Sequence, residues 1–262
     1  MSSASPGAPE DRAPARAGRP PDAIFADPRL ARVYDALDAP ERPDLDAYAA
    51  MAEEFGARVV VDVGCGTGVL ACRLAARGRT VIGIDPAGAS LEVARDRPHA
   101  DRVRWLHGGA ADLPPLGADL ALMTGNVAQV FLTDAEWADA LRACRRALRP
   151  GGRLAFEVRD PDRRAWRLWT REASRRVLDL PEVGTFETWY ELVEVALPYV
   201  TFRHEFVFRR DGVRATSQST LRFRDRAEIL ASLAAAGLAV ESVRDAPDRR
   251  GLEFVFVARS AD

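Results

Sequence analysis

Between Arg58 and Val158 short apolar runs take turns with longer amphipathic ones. Arg58–Val63 (RVVVDV), Thr80–Ile84, Val103–Leu106, Ala118–Met123 and Arg153–Val158 are too short for helices and are apolar at successive positions. That is the pattern of strands buried on both faces. Gly68–Arg77, Ala89–Arg95 and Asp134–Leu148 lie between them and follow helical spacing, the first stopped by Gly78. Strands and helices in this alternation predict an α/β fold, a mostly parallel sheet with helices on both faces. Upstream, Asp27-Pro28 opens a helix that carries Leu30, Val33, Tyr34 and Leu37. A second helix over Asp44–Phe55 places Leu45, Tyr48 and Met51 on one face.

After Pro161 the pattern changes. Arg163–Leu180, rich in Arg and containing Trp166 and Trp169, reads as a helix. From Thr185 to Arg224 the period becomes two: Val200, Phe202, His204, Phe206 and Phe208 share one face, Thr201, Arg203, Glu205 and Arg209 the other. Asp211-Gly212 between two such runs is a hairpin turn signal. Three antiparallel strands inserted into the α/β fold are expected. A helix over Arg226–Ala236 with Gly237 as its C-cap, then strands at Leu238–Val243 and Glu253–Ala258, return to the core. The expected division is a disordered tail over 1–22, a helical cap over 23–57, a core over 58–160 and 225–262, and a lid over 161–224.

Composition narrows the chemistry. The 262 residues carry a net charge of −2, so long-range attraction to nucleic acid or to an anionic membrane is not expected. Every basic residue is Arg, which leaves no lysine for a Schiff base or a proton-accepting amine. Cys65, Cys72 and Cys144 lack metal-ligand spacing, so no metal is expected. An odd cysteine count and an N-terminal stretch without an apolar core fit a reducing, cytoplasmic setting. No apolar run approaches the ~18 residues a membrane span needs.

The strongest chemical signal is DVGCGTG, Asp62–Gly68, between a strand and a helix. Glycines there let the backbone turn sharply and approach a ligand. The dinucleotide fingerprint would put a third glycine where Val69 stands. Instead a carboxylate, Asp62, precedes the loop. A pyrophosphate would be repelled by it, whereas a ligand bearing an ammonium group gains from it. The next strand ends at Asp85, followed by Pro86, where a carboxylate can accept both hydroxyls of a ribose. GGAADLP, Gly108–Pro114, then offers Asp112 to an adenine amino group, with Ala111 and Leu113 against the ring.

Taken in order, DVGCGTG, GIDPAGASLEVAR (Gly83–Arg95), GGAADLP, ALMTGNVAQVF (Ala121–Phe131) and LRPGGRLAFEVRDP (Leu148–Pro161) resemble the successive motifs of class I S-adenosylmethionine-dependent methyltransferases, of the small-molecule type. The resemblance runs roughly from Ile24 to Pro161 and resumes at Arg224. It implies a Rossmann-like sheet of seven strands in the order 3-2-1-4-5-7-6, with strand 7 antiparallel. It implies S-adenosylmethionine as cofactor and S-adenosylhomocysteine as product. Asp62, Gly64, Cys65 and Gly66 would then meet the methionyl part, Asp85 and Pro86 the ribose, and Ala111, Asp112 and Leu113 the adenine. Tyr34 and Arg42 would cap the cofactor. The short link at Gly108–Gly117 departs from the pattern; the usual helix there is reduced to a turn.

In open α/β sheets ligands lie beyond the carboxyl ends of the strands, near the switch in strand order. That places Thr124, Gly125 and Asn126 beside the cofactor, and Gln129 and Arg159 toward an acceptor. Trp189 and Arg222 in the insert are further candidates for the acceptor pocket. Methyl transfer needs a base only when the nucleophile arrives protonated. His204 is either that base or a buried structural histidine, and Tyr190 is the next candidate. The expected partner is a small-molecule acceptor with an N or O nucleophile, with no nucleic acid, no membrane, and a monomer or homodimer. A protein or RNA methyltransferase, and a binding protein without catalysis, are the alternatives.

Overall fold

The computed structural model describes residues 19–38 and 42–261. The expected tail lies, up to residue 18, outside the described residues. Two short helices come first, α1 (Ala23–Ala26) and α2 (Pro28–Val33), and α2 runs into a 3-10 turn at Tyr34–Leu37. Asp27 starts α2: its carboxylate accepts from the amides of Arg29 and Leu30 at 2.8 and 3.0 Å, and Pro28 needs no partner for an N–H. Then follow α3 (Pro43–Glu54), β1 (Val59–Val63), α4 (Val69–Ala76), β2 (Thr80–Asp85), α5 (Gly88–Arg95), β3 (Val103–His107), β4 (Ala118–Met123), α6 (Asp134–Ala147) and β5 (Leu148–Arg159). The β3–β4 link holds only a 3-10 turn at Ala110–Asp112, as the sequence suggested.

The insert comprises α7 (Arg171–Ser174), β6 (Arg176–Leu180), β7 (Gly184–Ala196), β8 (Tyr199–Phe208) and β9 (Arg214–Arg222). The chain closes with α8 (Arg226–Ala235), β10 (Leu238–Asp245) and β11 (Glu253–Ser260). The core sheet has the order β3-β2-β1-β4-β5-β11-β10. With β10 and β11 counted as the sixth and seventh core strands, this is the expected 3-2-1-4-5-7-6. β11 runs antiparallel to both neighbours and the remaining neighbours are parallel. One face packs Val61, Ile84, Phe156 and Phe256 against Leu141 of α6 and Leu233 of α8. The other packs Val60, Leu122 and Val257 against Leu45 and Met51 of α3 and Leu74 of α4. Burial on both faces is why the strands read as unbroken apolar runs. Reciprocal caps fix where α6 and α8 begin: Thr133 with Glu136, and Asp225 with Glu228.

The insert differs from expectation in two ways. It is a sheet of four antiparallel strands, β6-β7-β8-β9, not three. Arg163–Leu180 is not a helix. Arg164 adopts a left-handed backbone (φ 49°), α7 lasts a single turn, and the chain then straightens into β6. The straightening pairs Leu178 with Phe186 and Leu180 with Gly184, so the leucines join the apolar side of the lid. On that side Phe186, Phe206 and Phe208 are fully buried against Ile24, Leu30, Val33 and Leu37. Cap and lid therefore share one small core, stitched by the Ile24 amide donating to Ser217 Oγ at 2.9 Å and by Arg29 paired with Asp211 at 2.7 Å.

Candidate active site

The switch in strand order falls between β1 and β4, and the turns that follow those two strands meet there. After β1 the chain reverses over Gly64–Gly68. The amides of Gly64 and Cys65 both donate to the Ile84 carbonyl, at 2.8 and 3.1 Å, which holds the loop against the end of β2. Gly64 and Gly68 are glycines for local reasons. A Cβ on Gly64 would come within 2.6 Å of Val127, and one on Gly68 within 2.6 Å of Trp105. Gly66 differs: at φ 53° its missing Cβ would point into open space, and so would that of Gly125 after β4. Open space above two glycines at a switch point is a cradle that side chains would fill.

Two buried carboxylates lie beside this turn. Asp62, near the end of β1, is 1% exposed, and neither of its oxygens has a hydrogen-bond partner among the described residues. Burial, then the charge of Asp85, pushes its pKa up to about 7. A buried, unpaired carboxylate costs free energy until a donor arrives. Asp85 at the tip of β2 is buried too, and burial raises its pKa. It accepts from the amides of Ala87 and Gly66, both at 2.8 Å, so it braces the glycine loop while keeping lone pairs for a ligand. Asp112 accepts from the Gly109 amide at 2.9 Å beside the buried Leu113, whereas Ala111 is exposed. The Pro86 carbonyl meets His107 Nε2 at 3.0 Å. Cys65 is buried, and burial raises its thiol pKa well above the ordinary value, which leaves it a neutral filler of the loop.

The cap is tied to the loop. Asp35 accepts from Thr67 Oγ1 at 2.6 Å and pairs with Arg97, whose Nε donates to the Thr67 carbonyl. Next to Asp35, Tyr34 packs edge-on against Phe25, and burial and the nearby Asp38 raise its pKa. Arg42 pairs with Asp44 and Asp38 at 2.8 and 3.1 Å.

Beyond Gly125 the rim continues along β5 and β11. Their antiparallel register pairs Glu157 with Val255 and Arg159 with Glu253, so Glu157, Arg159 and Glu253 share one face. Asn126, in a left-handed backbone (φ 63°), donates its amide N–H to Glu157 Oε1 at 2.9 Å. Arg249 pairs with Glu253 at 2.8 Å. Glu157, Glu253 and Arg249, with Gly125 and with Tyr48 and Met51 of α3, line a narrow cleft whose cavity volume is about 20 Å³.

A family model described as a methyltransferase domain matches residues 60–152. Among curated proteins, a ubiquinone/menaquinone biosynthesis C-methyltransferase from Rubrivivax gelatinosus is 35% identical over 126 residues, 47% of either chain. The chain thus spans about half the length of the curated relatives it matches. The CcbJ methyltransferase from Streptomyces caelestis superposes with a TM-score of 0.72 at 24% identity, covering 89% of this chain and 96% of that one. The sugar N-methyltransferase KedS8 from Streptoalloteichus sp. superposes at 0.75 and 18% identity, covering 98% and 100%. These likenesses show the methyltransferase fold over most of this chain.

Several sequence-based assignments move once the side chains are placed. Trp189 is on the far face of the lid from Tyr190: its indole donates to Glu191 at 2.7 Å and Arg171 lies over its ring. Arg222 does not face the cleft. It clamps the start of α6, donating to the Leu132 carbonyl at 3.1 Å and pairing with Asp134 at 2.8 Å. Gln129 is buried and accepts from Arg159 at 3.0 Å, so it positions that guanidinium. His204 is wedged between the rings of Tyr190 and Phe206, with Nε2 2.7 Å from Thr188 Oγ1. Burial, then Arg176, drives its pKa down to about 3, so it is neutral at physiological pH and a poor base. Tyr190 stays at the rim, within electrostatic reach of Tyr34, Asp38, Arg159 and Arg249. Burial raises its pKa, which makes it a hydrogen-bonding group rather than a base. The sequence reading missed Glu157, Glu253 and Arg249. The available signal was a glutamate inside LAFEV, a run otherwise apolar at every position.

Proposed function

We propose that this chain is an S-adenosylmethionine-dependent methyltransferase that passes a methyl group to an N or O nucleophile of a small molecule. The observation that carries the cofactor is Asp62, sealed and without a partner beside the open space over Gly66. A diphosphate would be repelled there, whereas the ammonium of a methionyl group supplies the donor this carboxylate lacks. Asp85 would hold the ribose hydroxyls, and Asp112 and Leu113 the adenine. Thr124, Gly125 and Asn126 would flank the methionyl side, and Tyr34 and Arg42 would cover it.

When bound, the cofactor supplies a methyl group on a sulfonium, an electrophile that needs alignment and dryness more than activation. This chain provides both. The Asp35–Thr67–Arg97 ties hold the cap on the loop, and the shared core of cap and lid closes the same side. We read residues 23–57 as the cap and 161–224 as the lid of this arrangement. The small-molecule assignment is supported by the fold neighbours. KedS8 is described as a sugar N-methyltransferase, and a further neighbour from Burkholderia thailandensis as a 1,6-didemethyltoxoflavin N1-methyltransferase.

Titration with S-adenosylhomocysteine tests the reading. At about 100 times the dissociation constant the ligand adds about 2.7 kcal/mol. That raises the melting temperature by roughly 5–10 °C for a chain of this size. No shift at millimolar ligand, or a shift with NADH instead, refutes it.

A further inference from the structure

The cleft along β5 and β11 has an uneven charge balance. Its lining includes four carboxylates, Asp44, Glu157, Asp248 and Glu253, against one guanidinium, Arg249. Three of the four are paired. Asp44 binds Arg42 at 2.8 Å, and Glu253 and Asp248 bind Arg249 at 2.8 and 3.4 Å. Glu157 is not paired. It is 6% exposed, Oε1 accepts from the Asn126 amide, and Oε2 has no hydrogen-bond partner among the described residues. An isolated buried carboxylate is costly to keep ionised. The cost appears as a Glu157 pKa pushed up to about 8, by burial first and then with Glu253 adding to it against Arg249. A structural role would have paired this side chain or replaced it with an apolar one, as at its neighbours Ala155 and Phe156.

Resting on the methyltransferase reading above, we propose that the methyl acceptor is a protonated amine and that Glu157 receives it through Oε2. A neutral hydroxyl would leave Glu157 protonated and gain one neutral hydrogen bond, whereas an arriving ammonium stabilises the ionised carboxylate and gains a charge-assisted one. A phenolate or carboxylate acceptor would meet four carboxylates. Only a cation stabilises the carboxylate that forms as Glu157 gives up its proton. The same contact prepares the nucleophile. An N–H bond of the ammonium breaks and its proton passes to Glu157 Oε2, freeing the nitrogen lone pair. That pair forms the bond to the methyl carbon while the sulfur–carbon pair stays on sulfur, giving the N-methylammonium product and S-adenosylhomocysteine. The proton then leaves Glu157 through the cleft, one per methyl group transferred. The groups facing Glu157 are Asn126 from the turn after β4, Arg159 of β5, Glu253 of β11, Asp248 and Arg249 before β11, and Asp44 of α3. Histidine is absent from that set.

Calorimetry on the S-adenosylhomocysteine-loaded protein decides the matter, using matched pairs as probes. The pairs are D-glucosamine and D-glucose, cyclohexylamine and cyclohexanol, and 2-phenylethylamine and 2-phenylethanol. The amine of at least one pair should bind about tenfold or more tightly than its alcohol, the loss expected for one charge-assisted hydrogen bond. Repeating the titration near pH 7 in buffers of different ionisation enthalpy should show about one proton released, as the arriving cation ionises Glu157. Glu157→Gln should bind S-adenosylhomocysteine like the parent, lose the preference for the amine, and release no proton. The proposal is overturned by alcohols that bind as well as amines, by a Gln variant that keeps the preference, or by no amine binding at millimolar concentration. S-adenosylhomocysteine that fails to bind the parent is a different failure, seen before any amine is added, and refutes the cofactor reading instead.

Discussion

Acid should loosen the grip on S-adenosylhomocysteine, and Asp62 should be the reason. Its two oxygens have no hydrogen-bond partner among the described residues, and burial together with Asp85 raises its pKa to about 7. Only the ionised form attracts the ligand's ammonium group. One pH unit above that pKa about nine-tenths of the carboxylate is ionised, and one unit below about a tenth. Between about pH 8 and about pH 6 the affinity should therefore fall roughly tenfold, close to 1.4 kcal/mol. The ligand-free protein should respond in the opposite direction. Asp62 has a folded pKa above the unfolded value of 3.8, so the folded state holds a proton that the unfolded chain has released. The stability from that proton is complete below 3.8 and is lost as pH rises through about 7, on the order of 1.4 kcal/mol per unit. Glu157 has the same sign, with its loss extending through about 8. Calorimetric titration at several pH values, beside denaturant unfolding of the ligand-free protein at the same values, measures both slopes. Asp62→Asn should bind weakly and with little pH dependence over this range. An affinity that stays flat in the parent, or an Asn variant with the parent's slope, would remove Asp62 from the site.

Three further outcomes follow from the contacts around it. Gly66→Val should abolish S-adenosylhomocysteine binding in calorimetry, since its side chain would occupy the open cradle; binding at the parent's affinity would mean the ligand lies elsewhere. Asp85→Ala removes the acceptor for the Gly66 and Ala87 amides and for the ribose, and should weaken binding by about 1.5–3 kcal/mol, roughly ten- to a hundredfold. His204→Ala should leave the pH profile of turnover unchanged in shape, because the ring does not titrate near neutrality. It should lower stability by about 2–4 kcal/mol through a cavity beside Phe206 and an orphaned Thr188 hydroxyl, read by denaturant unfolding. A lost acid-side limb in the profile would return His204 to the chemistry as its base.

How much of this could be read from the letters depends on where each contact lies along the chain. The core sheet was legible because each strand is buried on both faces and its apolar run is local. The crevice was legible because Asp62, Gly66 and Asp85 sit at strand ends in a fixed order. The lid was only half legible. β6 is five residues long and its partner β7 decides its conformation, so RVLDL after an Arg-rich stretch looked like the tail of a helix. Trp189 and Arg222 were misplaced for a related reason: alternation tells which residues share a face, but not which face looks inward. The acceptor side was least legible. Glu157 and Glu253 meet only because β11 returns antiparallel beside β5, nearly a hundred residues later in sequence, a register no local pattern encodes. The physical rule that would have flagged Glu157 was nevertheless present. A strand predicted to be buried on both faces has no solvated position for a carboxylate, so a glutamate inside it must have a partner or await one. Arg159 and Arg249 spend their hydrogen bonds on Gln129 and Glu253, which leaves Glu157 as the residue that waits.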